Sequence, residues 1–118
     1  MRLYLFHCLD GDDGARLRLE HRDAHLAYVA SHIGDYAVAG PLKTDGVPVG
    51  SVLVIKGADK AAARARLGDD PYFLAGLWAE VGVHEFAAVA GEWVGGATWL
   101  RKGGLIRAAN SSPASTAG

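Results

Sequence analysis

Hydrophobic and polar positions change period several times along the chain, and each change predicts an element. Leu3-Tyr4-Leu5-Phe6 is a short apolar run closed by the turn cluster Asp10-Gly11-Asp12-Asp13-Gly14, the pattern of a strand. Residues 16–33 contain neither Pro nor Gly and are followed by Gly34, which suits a helix with a glycine just past its end. At the helical step, Leu19, Leu26, Val29, Ala30 and Ile33 fall on one side, the face expected to meet a sheet. Residues 35–42 and 49–56 read as strands, and Lys43-Thr44-Asp45-Gly46-Val47-Pro48 between them carries the turn chemistry of a hairpin. An Ala- and Arg-rich helix is expected over 59–67, another helical turn from Asp70-Pro71, and a last strand over 78–90.

The order strand, helix, strand, strand, helix, strand predicts an α+β fold. It is the ferredoxin-like βαββαβ arrangement with a four-stranded antiparallel sheet. Val52-Leu53-Val54-Ile55 and Leu3-Tyr4-Leu5-Phe6 do not alternate apolar with polar, so both sheet faces are expected to be buried. Two helices cover only one face of such a sheet. A second copy of the chain is the simplest cover for the other, which predicts a homodimer packed sheet against sheet.

Composition narrows the class. The chain has 118 residues, 12 Lys+Arg against 13 Asp+Glu, and a net charge of −1, an ordinary globular balance with no footprint for nucleic acid or an anionic membrane. No apolar run approaches the length of a membrane span, and the N-terminus lacks the order of a signal peptide. The single cysteine, Cys8, excludes an intrachain disulfide and fits a reducing compartment, so a cytoplasmic protein is expected. Charge is unevenly spread: residues 1–95 carry −4 and residues 96–118 carry +3. With Gly95-Gly96 and Gly103-Gly104 at the change, residues 1–95 are expected to be the domain. Residues 96–118 are expected to be a basic, Gly/Ser-rich tail with a disordered end from Ser111. Trp99, Leu100, Leu105 and Ile106 would let that tail dock on a surface.

Candidate chemistry centres on histidine. His21, His25 and His32 share a stripe of the first helix within about 40° of one another, beside the expected core face. His21 and His25 have the i, i+4 spacing of a zinc chelate. However, Arg22 stands where metalloproteases place their glutamate and no further ligand completes a set, so no metal is expected. His21 and His32 read as solvated. His25 lies nearest the core edge, where a carboxylate holding its tautomer would make it a general base; the bland alternative is a buried histidine bonded to a backbone carbonyl. Two acids are candidates for that partner. Asp10 ends the first strand, where an ordinary turn residue would also stand; Asp70 precedes Pro71, where helix capping alone would account for it. Cys8 reads as an inert small hydrophobe, and Tyr72 and Trp78 as core or dimer contacts.

These pieces, taken in order, resemble the YciI-like (YCII-related) family from Met1 to about Ala87. Asp10 ends the first strand; Arg22-Asp23-Ala24-His25-Leu26 is similar to the family's Arg-x-x-His-Leu, and Ala39-Gly40-Pro41 to its Ala-Gly-Pro. Gly50-Ser51 enters the third strand as in the family, and Asp70-Pro71-Tyr72-Phe73 with Ala75-Gly76 matches its Asp-Pro-aromatic pattern. The resemblance implies a dimeric α/β barrel with a histidine–aspartate pair in a cleft at the sheet: His25 with Asp10 or Asp70, the choice left open. Relatives of this fold include muconolactone isomerases, and a YciI-like dehydrochlorinase acts on chlorinated hydroxyhydroquinones. The implied function is an acid–base enzyme of lyase or isomerase type, without cofactor or metal, on a small, cyclic or aromatic-derived molecule. Arg22, Ser51 and Tyr72 would help hold the substrate. The alternative is a non-catalytic small-molecule-binding or accessory protein of the same fold, some of which bind heme.

Overall fold

The computed structural model describes residues 1–101. The chain divides into two units, the first spanning Met1–Phe86 and the second beginning at Ala87. In the first, β1 (Arg2–Asp10), α1 (Gly14–Ser31), β2 (Tyr36–Thr44), β3 (Val47–Gly57), α2 (Lys60–Gly68), α3 (Pro71–Leu74) and β4 (Trp78–Phe86) follow one another. The strands form one antiparallel sheet in the order β2-β3-β1-β4, which is the ferredoxin-like topology.

Local chemistry sets each boundary. The β2–β3 hairpin closes on two residues, Asp45 and Gly46, both at positive φ (51° and 81°), the two-residue turn whose twist suits antiparallel strands. The strands therefore run longer than expected, to Thr44 and from Val47. Asp59 caps α2 by accepting from the Ala62 N–H at 2.9 Å, and Asp70 caps α3 by accepting from the Tyr72 N–H at 2.9 Å, with Pro71 in the first helical position. The last strand stops at Phe86, short of the expected Ala90, because Phe86 pairs with Leu3 near the start of β1 and the partner strand ends there.

The core lies between the sheet and the helices. Tyr4, Phe6 and Cys8 of β1, Leu53 and Ile55 of β3, and Leu67, Tyr72 and Trp78 are all buried in one cluster. Residues of β1 alternate, so Leu3, Leu5 and Leu9 point to the face away from the helices, where they are half-buried. Gly50 packs so tightly on β1 that a Cβ there would collide with the Cys8 carbonyl oxygen.

Helix α1 departs from its expected orientation. The apolar stripe puts Leu19, Leu26 and Ile33 on the core face, yet they are 84%, 45% and 65% exposed, and Ala30 is exposed too; Leu17 and Val29 make the core contacts. The helix is turned by roughly a quarter revolution from that stripe. The cause is electrostatic: Arg18 and His25 face inward to meet the carboxylates of Asp10 and Asp70. The helix also ends at Ser31, before Gly34. The Tyr28 carbonyl accepts from Ser31 Oγ at 2.9 Å and from His32 Nδ1 at 2.9 Å, side-chain donors that compete with the helical ladder, and Ile33–Asp35 continue as a 3₁₀ turn. His32 is accordingly half-buried against the Tyr28 ring, at 4.6 Å, and is not a solvated residue.

In the second unit the described residues form a small hairpin of β5 (Ala90–Gly91) and β6 (Gly96–Ala97), joined by a 3₁₀ turn at Glu92–Val94 and followed by the helical turn α4 (Thr98–Arg101). The expected disordered end from Ser111, and Leu105 and Ile106, lie outside the described residues. No described helix is long and apolar enough to cross a membrane.

Candidate active site

Four elements bring polar side chains to one place between α1 and the β2–β3 side of the sheet. Asp70, at the turn into α3, is 0% exposed. Its carboxylate lies 2.8 and 2.9 Å from His25 Nδ1. An ionised carboxylate only accepts, so Nδ1 carries a proton, and in the neutral ring the lone pair is then on Nε2. The imidazole stacks on the Tyr72 ring with centroids 4.0 Å apart and planes 14° from parallel. Tyr72 is in turn held edge-on by Trp78 at 6.0 Å. One carboxylate thus does two things: it caps α3, which carries the stacking tyrosine, and it fixes the tautomer of the histidine that the tyrosine supports.

Asp10 makes a different pair. Arg18 donates to it through Nε at 2.7 Å and Nη2 at 3.0 Å, and Nη2 also donates to the Gly50 carbonyl at 2.7 Å and to Ser51 Oγ at 3.1 Å. The pair is shielded, with side chains 14% and 8% exposed. Gly14 makes room for it, since a Cβ there would stand 2.9 Å from Asp10 Oδ2. Of the two acids left open by the sequence, Asp70 is the one in contact with His25, and Asp10 is committed to Arg18.

Arg18, His25, Ser51 and Tyr72 line a cavity of about 260 Å³, with Asp10 and Asp70 behind them. Arg18, Arg22, His25 and Val29 form its α1 wall, Pro41 and Ser51 are on the sheet side, and Tyr72 closes the end. The space suits a single-ring molecule better than a drug-sized one. Ser51 accepts from Arg18, so its own O–H remains to donate into the cavity. Arg22 is exposed at the rim. Arg18 is the residue that sequence reasoning missed. The signal was present, because Arg18, Arg22 and His25 stand at i, i+4 and i+7 and share a face.

The remaining candidates are quieter. Burial pushes the Cys8 thiol up to about 12, with Asp70 and Asp10 adding to the effect, so it stays protonated and unreactive. Burial likewise raises the Tyr72 phenol, opposed by Arg18 and Arg22. Among the described residues no three His, Cys, Asp or Glu side chains converge as metal ligands would.

Comparison with known proteins agrees with the fold. No curated protein matches the sequence. Among solved structures, one similar chain is the 5-chloro-2-hydroxyhydroquinone dehydrochlorinase TftG from Burkholderia phenoliruptrix AC1100, in complex with 2,5-dihydroxybenzoquinone. It is 25% identical with a TM-score of 0.66, over 75% of this chain and 95% of that one. The Arabidopsis thaliana protein At3g17210 is more distant, at 11% identity and a TM-score of 0.43 over 77% of this chain and 98% of that one. The model of the YCII-related domain matches residues 2–87, the whole four-stranded unit. The chain therefore belongs to the YCII-related family.

Proposed function

We propose that the protein is a small acid–base enzyme of lyase or isomerase type, with His25 as general base and Asp70 as the group that orients it. The observation that carries this reading is a fully buried carboxylate 2.8 Å from Nδ1 of an imidazole that lines a cavity. His25 Nε2 removes a proton from a hydroxyl or an activated C–H of the bound ring. The electron pair moves onto a ring oxygen, which the Ser51 hydroxyl and the Arg22 guanidinium stabilise. In an elimination, the imidazolium returns the proton to the carbon that bears the leaving group, and that carbon, now tetrahedral, expels it, chloride for example, with its bonding pair as a second ring hydroxyl gives up its proton. In an isomerisation, the imidazolium returns the proton to a different carbon. Tyr72 supports the base from its other face, and Arg18 with Asp10 holds Ser51 in place.

The similar dehydrochlorinase, bound to a single-ring quinone, favours the elimination branch and a ring of that size. The test is chloride release from 5-chloro-2-hydroxyhydroquinone and close analogues by the wild-type protein and His25→Asn. A positioned base is worth roughly 10²–10⁴-fold, so the variant is expected to lose at least about 10² of the turnover. Equal turnover would remove His25 from the mechanism. Saturable binding of the ring compounds with no turnover by the wild type would favour the binding-protein alternative.

The same reading includes a homodimer. The helices occupy one face of the sheet, and the opposite face presents Leu3, Leu5, Leu9 and Val52 half-buried, with Phe86 42% exposed. An apolar sheet face of this kind is stable in water when a second copy covers it. Light scattering at micromolar concentration is expected to read twice the chain mass; a stable monomer would overturn the dimer and leave the site chemistry standing.

A further inference from the structure

The cavity at His25 does not end at the reactive groups. A second space of about 460 Å³ adjoins it, and Arg18, Arg22, Pro41 and Tyr72 line both. Ala15, Leu19, Val47 and Pro48 give the outer chamber apolar walls, and Lys43 adds a second cation from β2, opposite Arg22 on α1.

The charges in the two chambers are not equally compensated. Arg18 is paired with Asp10, and Asp70 is hydrogen-bonded to His25 and lines neither chamber. Arg22 and Lys43 have no carboxylate within 4.0 Å among the described residues. Two cations without a carboxylate partner therefore face one open, concave space from opposite sides. The apolar walls oppose a bare hydrated ion, while an organic anion satisfies both the cations and the walls.

Resting on the acid–base reading of His25, we propose that the substrate carries a carboxylate: its reacting ring lies in the inner chamber against His25, and its carboxylate lies in the outer chamber between Arg22 and Lys43. A carboxylate fits because the chamber offers two side-chain cations, Arg22 and Lys43, and no glycine-rich loop among its lining residues. Arg22 lines both chambers, so one edge of its guanidinium can meet the outer carboxylate while its remaining N–H groups, with the Ser51 hydroxyl, stay with the oxyanion that develops during proton removal. Lys43 is thereby a specificity residue that does not touch the reacting atoms.

The experiment compares benzoate with benzamide, which share a ring and differ in charge, by NMR titration of the full chain at low salt. Benzoate is expected to bind more tightly, and Lys43→Gln to weaken benzoate by about 5-fold, the size of a partly exposed ion pair, while leaving benzamide unchanged. Raising the salt is expected to erode the difference between the two ligands. Equal affinities, a benzoate affinity indifferent to Lys43→Gln, or no saturable benzoate binding at all would overturn the proposal. Failure of the underlying reading looks different: His25→Asn would keep turnover while the benzoate preference persisted.

Discussion

Asp70→Asn is expected to fold and to lose about 10³–10⁴ of the turnover, more than a simple weakening of one hydrogen bond would give. The substitution preserves shape and the helix cap, because the amide oxygen still accepts from the Tyr72 N–H that now sits 2.9 Å from Oδ1. What changes is the proton. A carboxylate forces the proton onto His25 Nδ1, whereas an amide that keeps its oxygen on the Tyr72 N–H puts its NH₂ in the place of Oδ2, 2.9 Å from Nδ1, where it donates to the ring and favours the proton on Nε2. The nitrogen facing the substrate then has no lone pair to offer. The magnitude is that seen when an aspartate orienting a catalytic histidine is replaced by its amide in the serine proteases. Steady-state turnover combined with a two-dimensional NMR assignment of the His25 tautomer checks both halves. Full activity with the proton on Nε2 would show that Asp70 only caps α3.

Arg18→Ala is expected to cost about 3–5 kcal/mol of stability, the usual consequence of stripping one partner from a buried ion pair. Asp10 is 8% exposed in its side chain and would keep a charge with no cation beside it. The Gly50 carbonyl and Ser51 Oγ would lose the same donor. Chemical denaturation at neutral pH reads the loss. The double variant Arg18→Met with Asp10→Leu separates pairing from packing, since removing both charges is expected to restore most of the stability lost by removing one. A single-variant cost below about 1 kcal/mol would mean that water reaches the pair and that it behaves like a surface bridge. In either background, activity is expected to fall, because Ser51 no longer has its guanidinium anchor.

Both predictions concern side chains that join distant parts of the chain, and that is where sequence reasoning was weakest. Element order was legible because strand runs, the Pro/Gly-free helix and the Asp-Gly turn are local signals. The Asp70-Pro71 cap was legible for the same reason, and so was His25 as the histidine to watch. The partner of His25 was not, because Asp10 and Asp70 are equally plausible by position and only one can reach. For Arg18 the shared face with Arg22 and His25 was legible, but its carboxylate partner eight residues earlier was not, because that contact depends on how the helix lies over the end of the first strand. The apolar stripe of α1 was misleading on its own terms: Leu19, Leu26 and Ile33 do share a face, but that face is turned outward.

By itself, then, the sequence determined what propagates through a few neighbouring residues: which segments are strands and helices, where the chain turns, and which residue types are available for acid–base work. The tertiary structure decided the rotation of α1, the pairing of Asp70 with His25 across 45 residues, and the pinning of Asp10 by Arg18. The physical reason is that hydrophobic periodicity counts only apolar positions, whereas a buried carboxylate without a hydrogen-bonding partner is costly enough to turn a helix toward it. That cost is invisible until the strand and the α3 turn place both acids under the same helix.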